Sequence, residues 1–220
     1  MAGREYVGIV LRQVQALNGT RMITMLTEDG GKISAGTKIS EGSKKASALA
    51  IRPFALSRFM ITERGGFLNI GSSEALDAHY GIGENVDRYM DASFVLEFTD
   101  KLLPEGLCDT EVFTLLKSYL EIAERRKRDF RLLTISYMVQ LFMLEGIFPE
   151  PENFSDDELL KDLDFDIFKV IIFLMENSLE KLEKLSLDDK KSGKVFRLLR
   201  KYANVHLDIG PLKSDVLMQI

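Results

Sequence analysis

The side chains best placed to do chemistry in this chain are clustered cations rather than nucleophiles. Lys32, Lys38, Lys44, Lys45 and Arg52 stand against the single acid Glu41 in the stretch from Gly31 to Phe54, among glycines and serines. A mobile basic loop between two apolar runs can follow a polyanion without reading its sequence. A solvated surface hairpin has the same composition, so the stretch alone does not choose between them. Two more basic clusters follow. Arg125, Arg126, Lys127 and Arg128, with Arg131, fall at the junction of two helical patterns. Lys190, Lys191, Lys194, Arg197, Arg200 and Lys201 run along the last helical pattern, interleaved with Val195, Phe196, Leu198 and Leu199. Their plain reading is solvated faces that balance an acidic region. A basic rim beside an apolar groove would instead suit an acidic, hydrophobic peptide tail or a second nucleic-acid strand.

Signals for catalysis are sparse. His79 and His206 are the only histidines, and neither belongs to a short metal-binding pattern. His79 reads as a satisfied surface or linker residue, and His206 as packing near a helix end. Cys108 sits beside the Pro104–Gly106 break, with no histidine near it in sequence to activate a thiolate. Asp156, Asp157 and Glu158, then Asp162, Asp164 and Asp166, lack the glycine and final glutamate of a calcium loop. Acids in the first turn of a helix explain them through the helix dipole. Ser192-Gly193-Lys194 lacks the upstream glycine and preceding strand of a phosphate-binding loop. The reading is of a protein without cofactor, metal or catalytic centre.

Composition narrows the class further. The chain has 220 residues, 45% hydrophobic and 29% charged, with a formal charge of -5. That is enough chain to bury a substantial core. Charge is unevenly spread: residues 1–80 hold 10 Lys/Arg against 7 Asp/Glu, whereas residues 81–220 hold 19 against 27. The first third is therefore the better polyanion surface. One cysteine excludes an intrachain disulfide and a cysteine-based zinc site, and fits a reducing compartment. The N-terminus has no apolar signal core, and the run Val170 to Met175 is far shorter than a membrane span. A cytoplasmic location with no membrane contact is expected.

The elements that must carry these residues change type once. Up to about residue 75 the pattern is β-like, with strands near 5–14, 21–27, 32–38, 51–62 and 67–71 and the basic loop at 39–48. Five short strands with tight turns predict a small barrel; an oligonucleotide-binding (OB) barrel fits the count, and an SH3-like barrel fits nearly as well. From about residue 84 the period becomes helical. Asn85 and Asp109 are candidate N-caps, Ser155 with Glu158 a candidate capping box. Helices are expected to about Pro104, from Asp109, from Asp129 to Leu144, and near 156–162, 164–183 and 187–206. The fold class is α+β: an OB-like barrel over 1–80, then an all-α domain over 81–220.

In Gly8-Ile9-Val10-Leu11, Met25-Leu26-Thr27-Glu28, Gly31-Lys32-Ile33-Ser34-Ala35 and Arg52-Pro53-Phe54 the β-region resembles the bacterial DNA repair and recombination mediator family RecO. The helical region is similar to it in Ala92 to Glu97, Leu102 to Gly106, Phe130 to Leu133, Glu145 to Pro149, His206-Leu207 and Leu212 to Ser214. The resemblance implies a non-enzymatic mediator with an N-terminal OB domain. It would bind single- and double-stranded DNA, anneal complementary strands, and work with RecR and the C-terminal tail of single-strand binding protein (SSB) to load the recombinase. On that basis Arg12, Arg21, Lys32, Lys38, Lys44, Lys45 and Arg52 are the expected phosphate contacts. Arg125, Arg128, Arg131, Lys194, Arg197 and Arg200 are the expected partner contacts. Phe54, Phe59 and Phe67 read as apolar barrel residues; an exposed one could stack on bases, but core packing is the favoured reading.

Two departures from the family pattern stand out. The zinc cysteines many members carry are absent, and an acidic stretch at 150–166 stands in their place. Where paired arginines usually follow Lys-Gly, this chain has Lys38-Ile39-Ser40-Glu41-Gly42, with Lys44 and Lys45 a few residues later. A protein-interaction module with little DNA affinity is the alternative reading.

Overall fold

Alternating apolar residues in the first third build five strands, β1 (Arg4–Gln15), β2 (Arg21–Thr27), β3 (Gly31–Thr37), β4 (Leu56–Arg64) and β5 (Phe67–Asp77). The computed structural model describes residues 3–16, 19–39 and 46–218. Glu41, Lys44, Lys45 and Asn18 lie outside the described residues. Two compact units divide the chain: Met1–Gly81 with Leu96–Leu120, and Ile82–Val95 with Glu121–Ile220.

In the first unit the strands close into a barrel in the order β1-β2-β3-β5-β4. Every strand pair is antiparallel except β3 with β5, which meet in parallel at Gly36 and Asn69. A four-residue helix, α1 (Ala46–Leu49), falls between β3 and β4. This closed five-stranded barrel is OB-like. Val10, Ile23, Met25, Ala35, Ile51, Phe59, Ile61 and Ile70 fill its interior.

Irregularities in the strands decide where the polar side chains point. The pairing of β1 with β2 slips between Val10 and Arg12, leaving Leu11 as an extra residue. Such a bulge breaks the strict alternation, so Ile9, Val10 and Leu11 are all buried while Arg12 turns outward. The strand expected from residue 51 begins at Leu56 instead. Ile51 is spent as a core residue and Phe54 takes a left-handed backbone at φ 75°. His79 is buried rather than a surface residue: its Nδ1 lies 3.0 Å from the Phe54 carbonyl oxygen. β5 runs to Asp77 because it pairs along the whole of β4, although Gly71 to Glu74 carries no apolar period.

Residues 96–120 belong to the same unit as the barrel, and the contacts show why. Gly106 N–H donates to the Lys32 carbonyl, and Cys108 Sγ and Thr110 Oγ1 both approach the Glu28 carbonyl. At Gly31, with φ 71°, a Cβ would come within 2.2 Å of the Leu107 oxygen, so only glycine allows this approach. Helices α2 (Val86–Leu102) and α3 (Thr110–Arg125) start on the expected caps. Asn85 Oδ1 accepts from Arg88 N–H, and Asp109 Oδ1 from the N–H groups of Glu111 and Val112.

The second unit is organised by α4 (Phe130–Leu144), which is apolar on nearly every side and packs on α5 (Phe165–Glu176) and α6 (Asp189–Leu207). Rings of Phe142, Phe148, Phe154, Phe168 and Tyr202 form a continuous cluster of edge and tilted contacts. The acidic stretch is not the expected helix at 156–162. Its Ser155 lies in a 3-10 turn, Pro151–Asp156, and Asp157 Oδ1 accepts from Leu159 and Leu160 N–H. Those side-chain bonds compete with helix formation. Asp164 caps α5, Asp166 pairs with Lys191 at 2.9 Å, and Asp157 also lies 2.9 Å from His206 Nε2. α5 ends at Glu176, seven residues before the expected stop, where Asn177 turns extended. No described helix is long and apolar enough to cross a membrane.

Candidate nucleic-acid interface

Strand register brings one set of polar residues to a single end of the barrel. Arg21 faces Gln15 on β1 and Thr37 on β3, and Lys38 follows directly on Thr37. Gly36 meets Asn69 on β5, two residues beyond Phe67, and Phe67 faces Arg64 across the β4–β5 turn. Gly65 and Gly66 both have positive φ, which permits this two-residue hairpin. Arg21 Nη1 donates to Gln13 Oε1 at 3.2 Å. Lys38 and Arg64 are exposed and have no ion-pair partner among the described residues. Phe67 is 75% exposed, whereas Phe59 and Phe54 are buried. A bare aromatic beside cations has the makings of a base-stacking platform. Sequence patterning favoured core packing for Phe67 over base stacking; as the first residue of β5, directly after the Gly65-Gly66 turn, its ring is exposed instead. Glu63 is the acid on this tip.

The other expected phosphate contacts go elsewhere. Lys32 is 8% exposed. Its ammonium donates to the Asp100 carbonyl and lies 3.3 Å from Asp100 Oδ1, while Arg12 Nε donates to Asp100 Oδ2 at 2.6 Å. A phosphate would have to break a buried ion pair to reach Lys32, so this residue leaves the candidate surface. Arg12 is half exposed and keeps part of its guanidinium toward solvent. Arg52 is exposed in the turn after α1.

The expected partner contacts divide in the same way. Arg131 donates to Asp91 Oδ1 at 3.0 Å and stacks over the Phe196 ring at 4.6 Å. Burial pushes the Asp91 carboxyl above its ordinary value, and Arg131 opposes that shift. Arg200 donates to both Asp215 oxygens and to the carbonyls of Ile209 and Gly210. These two arginines are structural. Arg125 and Arg128 are largely exposed, loosely paired with Glu121 and Asp129. Lys194 and Arg197 are exposed on α6. A cleft of about 650 Å³ lies within this unit, lined by Met90, Leu187, Leu217 and Met218 and by charges of both signs.

No family model matches the sequence. Individual relatives do. The chain is 24% identical over 237 aligned positions to a protein of Caldanaerobacter subterraneus subsp. tengcongensis, covering 96% of both chains. A protein of Alkaliphilus metalliredigens is 21% identical over 91% of this chain and 92% of its own. One from Thermoanaerobacter sp. is 28% identical over 66% of this chain and 58% of its own. Each is named DNA repair protein RecO. The chain is similar to RecO proteins over nearly its whole length. With Cys108 as its single cysteine, the chain cannot form a four-cysteine zinc site. Its α+β order, an OB-like barrel followed by helices, agrees with the resemblance read from the sequence.

Proposed function

We propose that this chain is a non-catalytic DNA repair and recombination mediator that holds nucleic-acid strands on the end of its barrel. The carrying observation is the register that gathers Arg21, Lys38, Arg64 and the bare ring of Phe67 on one set of strand ends. Oligonucleotide-binding barrels use this strand 2–3 face with the β1–β2 and β4–β5 loops. Arg52, Lys44 and Lys45 extend the same charge in the proposal, with Arg12 contributing its solvent-facing edge. Phosphate contacts give binding without sequence preference, and Phe67 adds stacking that any base can satisfy. Strand annealing, duplex binding and loading of the recombinase on SSB-coated DNA follow from the family resemblance, as do RecR and the SSB tail as partners. Exposed Arg125 and Arg128 are the proposed first contacts for such a partner.

The test is a salt-dependent titration of labelled single-stranded DNA. Contact with about four phosphates at the barrel end contributes about -3 to the log-log slope on single strands. Lys38→Glu with Arg64→Glu should flatten that slope by at least about 1.4. Phe67→Ala should cost about 1–3 kcal/mol with the slope unchanged, because stacking releases no counterions. A slope near zero for the unaltered chain, with retained binding of an SSB tail peptide, would favour the protein-interaction reading instead.

A further inference from the structure

The six cations of α6 are sorted by the fold into two groups. Lys191 is committed to Asp166 and Arg200 to the C-terminal segment. Lys190, Lys194, Arg197 and Lys201 are exposed and have no ion-pair partner among the described residues. Their spacing of four, three and four residues puts them within an arc of about 60° on one helix face. Arg197 extends its guanidinium back over Gly193, which has no side chain to obstruct it.

This arrangement opposes the helix's own stability. Like charges three and four residues apart each cost about 0.2–0.5 kcal/mol. Lys190 also lies in the first turn, where the helix dipole disfavours a cation. No acid interrupts the face between Lys190 and Lys201, although the helical region as a whole is acidic. A merely solvated face would mix signs.

We infer that the exposed face of α6 is a second phosphate-backbone track, separate from the barrel end, that takes a nucleic-acid strand. From Lys190 to Lys201 the stripe runs about 16 Å along the helix. With one charge per about 3.4 Å of each strand, that spans roughly five phosphates. The occupant is a polyanion of regular charge spacing. A protein with two such tracks can hold two strands on one molecule.

The experiment uses the full chain in four forms: unaltered, barrel variant (Lys38→Glu with Arg64→Glu), stripe variant (Lys194→Gln, Arg197→Gln and Lys201→Gln), and both combined. Titration of labelled single-stranded DNA across salt, and the annealing rate of complementary strands, are read for each. The stripe variant should lose about 2 from the log-log salt slope and anneal at least about tenfold more slowly, while its thermal melt rises slightly as the like-charge pairs are removed. The combined variant should bind more weakly than either alone. Lys194→Arg with Lys201→Arg should retain binding and annealing. Unchanged slope and annealing in the stripe variant overturn the inference whatever the barrel variant does. Loss of binding in the stripe variant with none in the barrel variant supports α6 and removes the barrel reading. Polyglutamate is titrated alongside; loss of its binding in the stripe variant without loss of DNA binding overturns the inference in favour of an acidic peptide.

Discussion

At the scale of single residues, Asp100 shows how burial turns similar cations into different energies. It serves Lys32, which is buried, and Arg12, which is half exposed. Asp100→Ala leaves an unpaired buried ammonium and should destabilise the chain by about 3–5 kcal/mol. Arg12→Ala removes a partly solvated partner and should cost less than about 1 kcal/mol. Lys32→Met leaves the buried Asp100 carboxylate with Arg12 alone and should cost an amount between the other two, with DNA affinity unaltered. Denaturant melts of the three variants, with a DNA titration of Lys32→Met, check this ordering. Equal losses would mean that Lys32 is solvated in solution. Tyr202 offers a second residue-scale reading. Burial first, and Asp157 second, push its phenol up to about 12. An unfolded tyrosine ionises near about 10, so its contribution is complete below that pH and declines as the pH rises toward about 12. Tyr202→Phe loses the bond to the Ile147 carbonyl, about 1 kcal/mol, and should remove that alkaline decline. A stability curve against pH for both proteins reads it directly.

At the scale of elements, Arg200 of α6 fastens the closing segment through Asp215 and two backbone carbonyls. Burial opposes ionisation of Asp215, but hydrogen bonds from Arg200 and the Leu212 N–H outweigh it and hold the carboxyl below its usual range. A lowered pKa means the stabilisation is present above the ordinary carboxylate value of about 4 and is lost as pH falls through the lowered one. Amide exchange across residues 209–218 should therefore accelerate selectively in acid. Asp215→Asn should show that faster exchange at neutral pH already. Such fastening could not be read from the sequence, where Arg200 is one more cation in a basic helix. Caps were legible because Asn85 and Asp109 act within three residues of themselves. The barrel was legible through its turns and period of two. What escaped was anything decided by distant partners: the Leu11 bulge, the buried Lys32 and the late start of β4. The expected helix at 156–162 failed for a local reason, since Asp157 satisfies backbone N–H groups that a helix would need.

At the scale of the whole molecule, an acidic chain of charge -5 must bind a polyanion through local fields rather than net charge. At about 0.1 M salt such fields extend about 10 Å, so distant acids weigh little and near ones weigh heavily. Glu41, outside the described residues, is then the acid of most consequence by sequence, lying between Lys38 and the pair Lys44 and Lys45. Glu41→Lys should raise affinity for single-stranded DNA by about three- to tenfold near 50 mM salt, with the gain shrinking toward about 200 mM as counterion release weakens. Substituting an acid beyond the other end of β2 from Arg21, Glu28→Lys, makes the same change in net charge and should move affinity far less. Equal gains from both would mean that total charge governs binding. No gain from Glu41→Lys would remove residues 39–48 from the path of the strand, leaving Arg21, Lys38, Arg64 and Phe67 to carry it alone.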